Sequence, residues 1–200
     1  MKLPDRLQTI VDLVPKNSKV IDIGTDHAYV PIYLYLNNIT ADITATDISS
    51  NVLKSTYNNL KKYNLEDKIK LILSDGFKNV TDAYDLAIIA GMGTHTIIDI
   101  LKAKDLPKTL IISSNNDYPL LREYLNSINY TLSKEMAILD NNKYYLIMYY
   151  VYGKENLSKE EILFGKSNNN DYYNYLHNLY SKYPKYKEYL ELLEKYRSRL

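Results

Sequence analysis

The residues with the most evident chemistry lie in segment 20–29, which has the pattern of a buried strand, a tight turn and the start of a helix. Asp22 stands two residues before Gly24, at the end of the predicted strand. A nucleotide-sized ligand binds at such a junction in open α/β sheets, and a glycine lets it approach the backbone closely. A glycine-rich loop would also have glycines at the positions of Asp26 and Ala28. A carboxylate at this turn disfavours an anionic pyrophosphate and tolerates a cationic ligand.

Two further carboxylates follow predicted strands. Asp47 ends the second strand, 25 residues after Asp22, which is near the spacing of about 20 residues expected for an acid that binds a ribose diol. Asp75 ends the third strand with Gly76 beside it, and its carboxylate suits the amine of an adenine. S-adenosylmethionine (SAM) combines a ribose, an adenine, an α-amino group and a sulfonium, and Asp22 or Asp26 can hold the amino group. The sequence therefore predicts SAM as the cofactor.

The elements that must position these residues alternate between strand and helix. Apolar patterning predicts strands over 19–24, 43–47, 69–74, 85–90, 110–114, 131–139 and 144–152. It predicts helices before the first strand and after the first, second, fourth and fifth strands, and a hairpin turn at 140–143. This order predicts an α/β fold with a Rossmann-like, mostly parallel seven-stranded sheet. The polar clusters then all lie at the carboxyl ends of strands, where ligands bind in such sheets.

The last part of the chain has a different pattern, so we predict a first domain over 1–153 and a C-terminal helical extension over 154–200. Apolar residues recur at near-helical spacing on both sides of Pro184. The extension either packs against the sheet or grips a substrate. In the second case the cations available to it are Lys182, Lys185, Lys187, Lys195, Arg197 and Arg199.

Composition narrows the class of protein. The 200 residues carry a formal net charge of +1, which gives no global signal for binding a polyanion. The chain has no cysteine and only three scattered histidines, so we expect neither a disulfide nor a metal site. Its start has no apolar signal segment, and no run approaches the roughly 18 apolar residues of a membrane span. We expect a cytoplasmic monomer that does not bind membranes.

These residues resemble the TrmK family of bacterial tRNA (adenine-22-N1)-methyltransferases. The resemblance covers about residues 3–153 and is most specific at 22–29, followed by Pro31, and at 90–93. It implies a class I SAM-dependent methyltransferase fold with a coiled-coil-like C-terminal extension. It also implies methyl transfer from SAM to N1 of an adenine in the D-loop region of tRNA. The chain differs from the family in having Ser113 and Ser114 where a Gln-Pro pair usually precedes the asparagine, and Asp47 where a glutamate is common.

The motifs and the resemblance together predict a site with two sides. The cofactor side is predicted to contain Asp22, Gly24, Thr25, Asp47, Ile48, Asp75, Gly76, Ala90, Gly91, Met92 and Gly93. The catalytic side is predicted to contain Asp26, His27, Tyr29 and Asn115. Asp26 either stabilises positive charge on the base or only caps the following helix. His27 and Tyr29 either serve the substrate or pack.

Three classes of function follow from this site. The first is methylation of adenine N1 in tRNA. Methylation of the exocyclic N6 would call for an Asp/Asn-Pro-Pro-Tyr/Phe loop after the fourth strand, where this chain has Gly91, Met92 and Gly93. The second is methylation of a small molecule or a protein, and the third is a SAM-binding regulator without catalysis.

Overall fold

A single sheet forms the centre of the protein in the computed structural model, which describes residues 1–167, 169–182 and 184–198. Its strands in chain order are Val20–Ile23 (β1), Ile43–Asp47 (β2), Lys70–Leu73 (β3), Leu86–Met92 (β4), Thr109–Ser114 (β5), Tyr130–Asp140 (β6) and Lys143–Tyr152 (β7). They lie side by side in the order β3-β2-β1-β4-β5-β7-β6. The first five are parallel, whereas β7 is antiparallel to β5 and β6. The predicted seven-stranded, mostly parallel sheet is confirmed.

Helices cover both faces of this sheet. They are Asp5–Asp12 (α1), Tyr29–Leu36 (α2), Ser50–Lys61 (α3), Thr94–Ile100 (α4), Tyr118–Ser127 (α5), Lys159–Phe164 (α6), Asn170–Ser181 (α7) and Lys187–Arg197 (α8). Successive side chains of a strand point to opposite faces. In β4, therefore, Leu86 and Ile88 pack with α1, α2 and α3, whereas Ala87 and Ile89 pack with α4 to α8. The near-continuous apolar run of β4 is typical of a strand buried on both faces.

The predicted hairpin is present, and its turn explains the antiparallel pair. Asp140 pairs with Lys143 across the turn, which leaves Asn141 and Asn142 as its central residues. Both have positive φ, 48° and 61°, as a two-residue type I′ turn requires and as asparagine tolerates.

The C-terminal helices belong to the hydrophobic core on the second face. Phe164, Tyr173 and Leu193, from α6, α7 and α8, are buried with residues of β5 and β7. Helix α6 was not predicted, although Ser158 and Glu161 form a capping box at its start. Of the predicted seam, Tyr183 and Leu200 lie outside the described residues, as do Arg199 and the side chain of Lys185. The boundary between residues 153 and 154 stays a prediction.

A buried ion pair ties this C-terminal part to the sheet. The Nη2 of Arg122 on α5 donates to Oε1 of Glu135 on β6 at 2.6 Å, and both side chains are fully buried. Arg122 also donates through Nη1 to the carbonyl of Ile162 at 2.9 Å, and the backbone N–H of Lys166 donates to Glu135. Removing one partner would leave a buried charge unpaired, which typically costs about 3–5 kcal/mol. Arg122 therefore supports the fold.

Candidate functional site

The turn after β1 combines unusual backbone angles with bonds to neighbouring elements. Gly24, Asp26 and Ala28 all have positive φ, at 75°, 50° and 56°. The N–H groups of Gly24 and Thr25 both donate to the carbonyl of Thr46 at 2.9 Å, which fixes the turn to the end of β2. Two of the three residues are non-glycine residues at angles that glycine prefers, and such backbone strain tends to occur at functional sites.

Helix α3 holds the turn from the other side. Thr56 donates its hydroxyl to the carbonyl of Asp26, and Asn59 donates its amide to the carbonyl of His27 at 2.7 Å. Helix α2 begins at Tyr29, and Ala28 precedes it without any side-chain cap bond. The alternative that Asp26 caps this helix is therefore wrong, because Ala28 occupies the cap position and, among the described residues, the Asp26 carboxylate contacts His27 and accepts no hydrogen bond from the first turn.

A cavity of about 830 Å³ opens at the carboxyl ends of β1, β2 and β4. It brings together most of the predicted cofactor and catalytic residues: Asp22, Gly24, Thr25, Asp26, His27, Tyr29, Asp47, Ala90, Gly91, Met92 and Asn115. The segments that contribute them are distant in sequence and meet only because the parallel strands end at one edge of the sheet.

Four predicted residues do not line this cavity: Ile48, Asp75, Gly76 and Gly93. The carboxylate of Asp75 accepts a bond from Lys78 Nζ at 2.6 Å and faces a separate depression. Ile48 is 69% exposed, and Gly93 precedes α4. The roles of these four residues stay predictions, and the adenine end of the site rests on them.

Asp22 has a buried carboxyl group whose charge is not balanced by a cation of the described residues. Its residue is 7% exposed, and burial raises the pKa of its carboxyl from 3.8 to about 6, with a further increase from the charge of Asp47 and an opposing effect from the Thr25 hydroxyl. No cation among the described residues contributes to this pKa. A cationic ligand group beside Asp22 would relieve this unfavourable charge burial, so the site fits an ammonium.

The other two acids of the cavity, Asp47 and Asp26, differ in hydrogen bonding and in solvent exposure. Asp47 accepts a bond from the Ser49 N–H through Oδ1 at 2.9 Å, which orients its carboxylate at the end of β2. Asp26 lies at the rim, where 72% of its side chain is exposed and Oδ1 is 3.6 Å from His27 Nε2. One acid is thus buried deep in the cavity and another is presented to solvent.

Aromatic and amide groups complete the rim. The ring centroids of His27 and Tyr29 are 5.5 Å apart, and Tyr29 is 45% exposed. Asn115 donates its side-chain amide to the carbonyl of Gly91 at 2.7 Å and its N–H to that of Met92 at 2.8 Å. Asn115 therefore ties the ends of β4 and β5 together beside the cavity.

Sequence reasoning missed one wall of the cavity, which comes from the start of the chain and α1. Its lining residues there are Met1, Lys2, Leu3, Pro4, Arg6, Leu7 and Ile10, and Val30, Tyr63 and Ile88 also contribute. The available signal was segment 3–7, which also matches the pattern of the TrmK family. Among the described residues, no group of three or more His, Cys, Asp or Glu side chains is placed to hold a metal ion. No helix in the described part of the chain is long and apolar enough to cross a membrane.

Replacing Gly24 with alanine is expected to lower the free energy of unfolding by about 1–2 kcal/mol, because its φ of 75° is unfavourable for an L-residue. The new Cβ would lie 2.0 Å from Met92 Cε, so Met92 must move within the cavity. We therefore also expect weaker binding of the predicted cofactor. Denaturant unfolding and calorimetry measure the two effects.

Gly93→Ala is the matched control for stability, since Gly93 has an ordinary φ of −73° and its Cβ would have normal contacts. Equal stability of Gly24→Ala and the unchanged protein would contradict the assigned strain.

Comparison with known proteins identifies a methyltransferase family model and methyltransferase relatives. The family model described as a methyltransferase domain matches residues 3–148. The tRNA (adenine(22)-N(1))-methyltransferase of Bacillus subtilis is 32% identical over 153 residues, which are 74% of this chain and 64% of that protein. The chain thus spans less than two thirds of that relative's length.

Two other relatives match over more of their length. The putative tRNA methyltransferase MG248 of Mycoplasma genitalium is 32% identical over 168 residues, which are 80% of this chain and 76% of that protein. The structure of M. capricolum TrmK in complex with S-adenosyl-homocysteine has a TM-score of 0.89 and 32% identity, and 98% of each chain is covered. The similarity to that structure extends through the C-terminal helices.

Proposed function

The chain belongs to the TrmK family of methyltransferase-domain proteins, and from this we propose that it transfers a methyl group from SAM to N1 of an adenine in tRNA. The resemblance predicted from segments 22–29 and 90–93 is thereby confirmed. Position 22, in the D-loop region, is the proposed target, as the name of the Bacillus subtilis relative suggests. The observation that carries the proposal is the cavity at the strand ends, with buried Asp22 inside it and exposed Asp26 at its rim.

Each end of SAM has a proposed partner in this chain. Asp22 binds the α-amino group, since its carboxylate is buried and no cation of the described residues contributes to its pKa. Gly24 lets the backbone approach the amino acid part, and Asp47 binds the ribose diol. Asp75 and Gly76 bind the adenine, which would extend from the cavity past the end of β2. Thr25, Ile48, Ala90, Gly91, Met92 and Gly93 complete the cofactor side.

Methyl transfer to N1 of adenine requires that the base is correctly positioned and that its developing positive charge is stabilised. SAM would supply a methyl group on a cationic sulfur. The in-plane lone pair of the ring nitrogen N1 can attack the methyl carbon without an activated side chain, while the carbon–sulfur bond breaks and the sulfur leaves as a neutral thioether. Positive charge grows on the base as the methyl group arrives. The Asp26 carboxylate at the rim stabilises this charge or accepts a proton from the exocyclic amine.

The substrate adenine must present its Watson–Crick edge, which is hidden in paired RNA. It therefore has to be unpaired or turned out of its stack, at a cost of a few kcal/mol. The exposed ring of Tyr29 and the neighbouring His27 give the extruded base an aromatic surface at the rim. Asn115 at the end of β5 is the proposed polar contact to the base.

The other two classes of function are tested by one experiment. Methyl-labelled SAM is incubated with the protein and, separately, with unmodified tRNA, a protein extract and a small-molecule extract. We expect labelled tRNA. Label in protein or in small molecules would favour the second class, and SAM binding without any transfer would favour a regulator. We further propose a monomer without a metal ion that acts in the cytoplasm.

The C-terminal helices are proposed to contact tRNA in addition to packing. Lys182 and Lys187 are exposed at the junction of α7 and α8, although Lys187 lies 4.0 Å from Glu191 on the same helix. Deleting these helices would remove buried core residues, so surface charge is the feature to change.

The double variant Lys182→Glu and Lys187→Glu is expected to bind tRNA at least about tenfold more weakly, with a salt dependence shallower by about two units of slope, one for each lysine, and to bind SAM normally. Filter binding at several salt concentrations measures this. The matched control is Lys16→Glu with Lys68→Glu, two exposed lysines at the amino edge of the sheet, away from the cavity. An equal loss in both double variants would reject a specific tRNA contact by these helices.

A further inference from the structure

Arg6 on α1 places an incompletely bonded cation in the wall of the cavity. Its side chain is half-buried, and within the described part of the chain its Nε atom is buried without a hydrogen-bond partner. Its Cζ atom lies 4.7 Å from the ring centroid of Tyr145 on β7. An aromatic face holds a guanidinium by a cation–π contact and leaves its edge N–H groups able to donate. Such a group is prepared to bind an anion.

The charges around the cavity indicate which anion it binds. Three carboxylates line the cavity, those of Asp22, Asp26 and Asp47, and they would repel any further carboxylate. SAM nevertheless carries one at its amino acid end, next to the ammonium. Among the described lining residues the lysine and arginine cations are Lys2, which is exposed, and Arg6. A partly buried carboxylate needs a paired cation, and a guanidinium matches its two oxygens.

We propose that Arg6 binds the carboxylate of the amino acid end of SAM while Asp22 binds its ammonium. The inference rests on the proposed use of SAM and assigns a binding residue on α1, outside the strand ends. The cofactor's zwitterion is then recognised by one acid and one base that line the same cavity from different elements. Tyr145 positions the guanidinium, and α1 closes the cavity over the amino acid end.

An RNA phosphate is the competing anion for Arg6. Two features favour the cofactor. The Nε atom is buried, whereas phosphates of a bound tRNA would lie outside the cavity mouth, and the neighbouring α1 residues Leu7 and Ile10 line the same cavity. The exposed Lys143, whose Nζ also lies 4.8 Å from the Tyr145 ring centroid, is better placed for solvent-borne phosphate.

The test compares SAM with decarboxylated SAM, which keeps the ammonium, the sulfonium and the adenosine. Calorimetry on the full-length protein should give a preference for SAM of about 10- to 100-fold, the range for hydrogen bonds to a charged group. In Arg6→Met this preference should fall to nearly onefold, because SAM binds more weakly and decarboxylated SAM does not. Arg6→Lys should retain part of the preference.

Lys143→Met is the matched control, since it removes the other cation on the same ring and should keep the wild-type preference. An unchanged preference in Arg6→Met would overturn the inference, and a loss of tRNA affinity in that variant with SAM binding intact would assign Arg6 to a phosphate. Failure of the unchanged protein to bind SAM would overturn the proposed function itself. Because the readout is a ratio within one variant, partial loss of folded protein does not mimic it.

Discussion

Replacing Asp26 with asparagine is expected to lower the single-turnover rate of tRNA methylation by about 10²–10⁴-fold, the range for a positioned acid or base group. The substitution keeps the shape of the side chain and its tolerance of positive φ but removes the charge that stabilises the methylated base. SAM affinity should change by no more than a few-fold, because the carboxylate is 72% exposed at the rim. Rapid-quench kinetics with saturating SAM and tRNA measures the rate.

Asp5→Asn serves as the control for removing an exposed acid, since Asp5 precedes the cavity wall and does not line it. A near-normal rate in Asp26→Asn would show that the charge at the rim has no part in the chemistry. The turn would then matter only for its backbone.

Replacing Asp22 with asparagine is expected to weaken SAM binding by about 100-fold, because a buried ammonium loses its charged partner. The same change should stabilise the ligand-free protein at pH 7 by about 1–3 kcal/mol. Burial raises the pKa of this carboxyl to about 6 from 3.8, so its ionised form is unfavourable in the folded state. Calorimetry and denaturant unfolding give the two numbers.

The pH dependence of the same residue has a defined sign. With a folded-state pKa above the unfolded one, the destabilisation by Asp22 is full above about pH 6 and is relieved as the pH falls towards 3.8. SAM binds the ionised form, so its affinity should fall about tenfold per pH unit below 6 in the unchanged protein. In Asp22→Asn, neither the stability nor the SAM affinity should show this pH dependence. Asp67→Asn changes an exposed acid and should keep both pH dependences. Identical SAM profiles in all three proteins would remove Asp22 from the ammonium site.

Local patterns in the sequence predicted the sheet well. The apolar run of β4 and the alternation of strand and helix were sufficient to predict a parallel sheet. The turn between Asp140 and Lys143 was sufficient to predict the antiparallel strands at its end. Because parallel strands end at one edge, the meeting of Asp22, Asp47 and Asn115 followed from that order.

Features set by long-range packing could not be predicted in the same way. Thr56 and Asn59 of α3 donate to the carbonyls of Asp26 and His27 and hold the turn in which Ala28 has positive φ. In this turn Ala28, and not Asp26, occupies the cap position of α2, so the predicted capping role is wrong. The contact of Arg6 with Tyr145 joins residues far apart in the chain. Periodicity indicates that α7 and α8 are amphipathic but does not say which face of the sheet they cover.

The central claim is methylation of N1 of adenine 22, and the identity of the methylated nucleoside tests it most directly. An unmodified tRNA transcript with adenine at position 22 is incubated with the protein and methyl-labelled SAM, then digested to nucleosides and separated. We predict that the label is found in N1-methyladenosine and is lost when position 22 is changed to guanine. Label in N6-methyladenosine, in another nucleoside, or in N1-methyladenosine regardless of position 22 would contradict the claim.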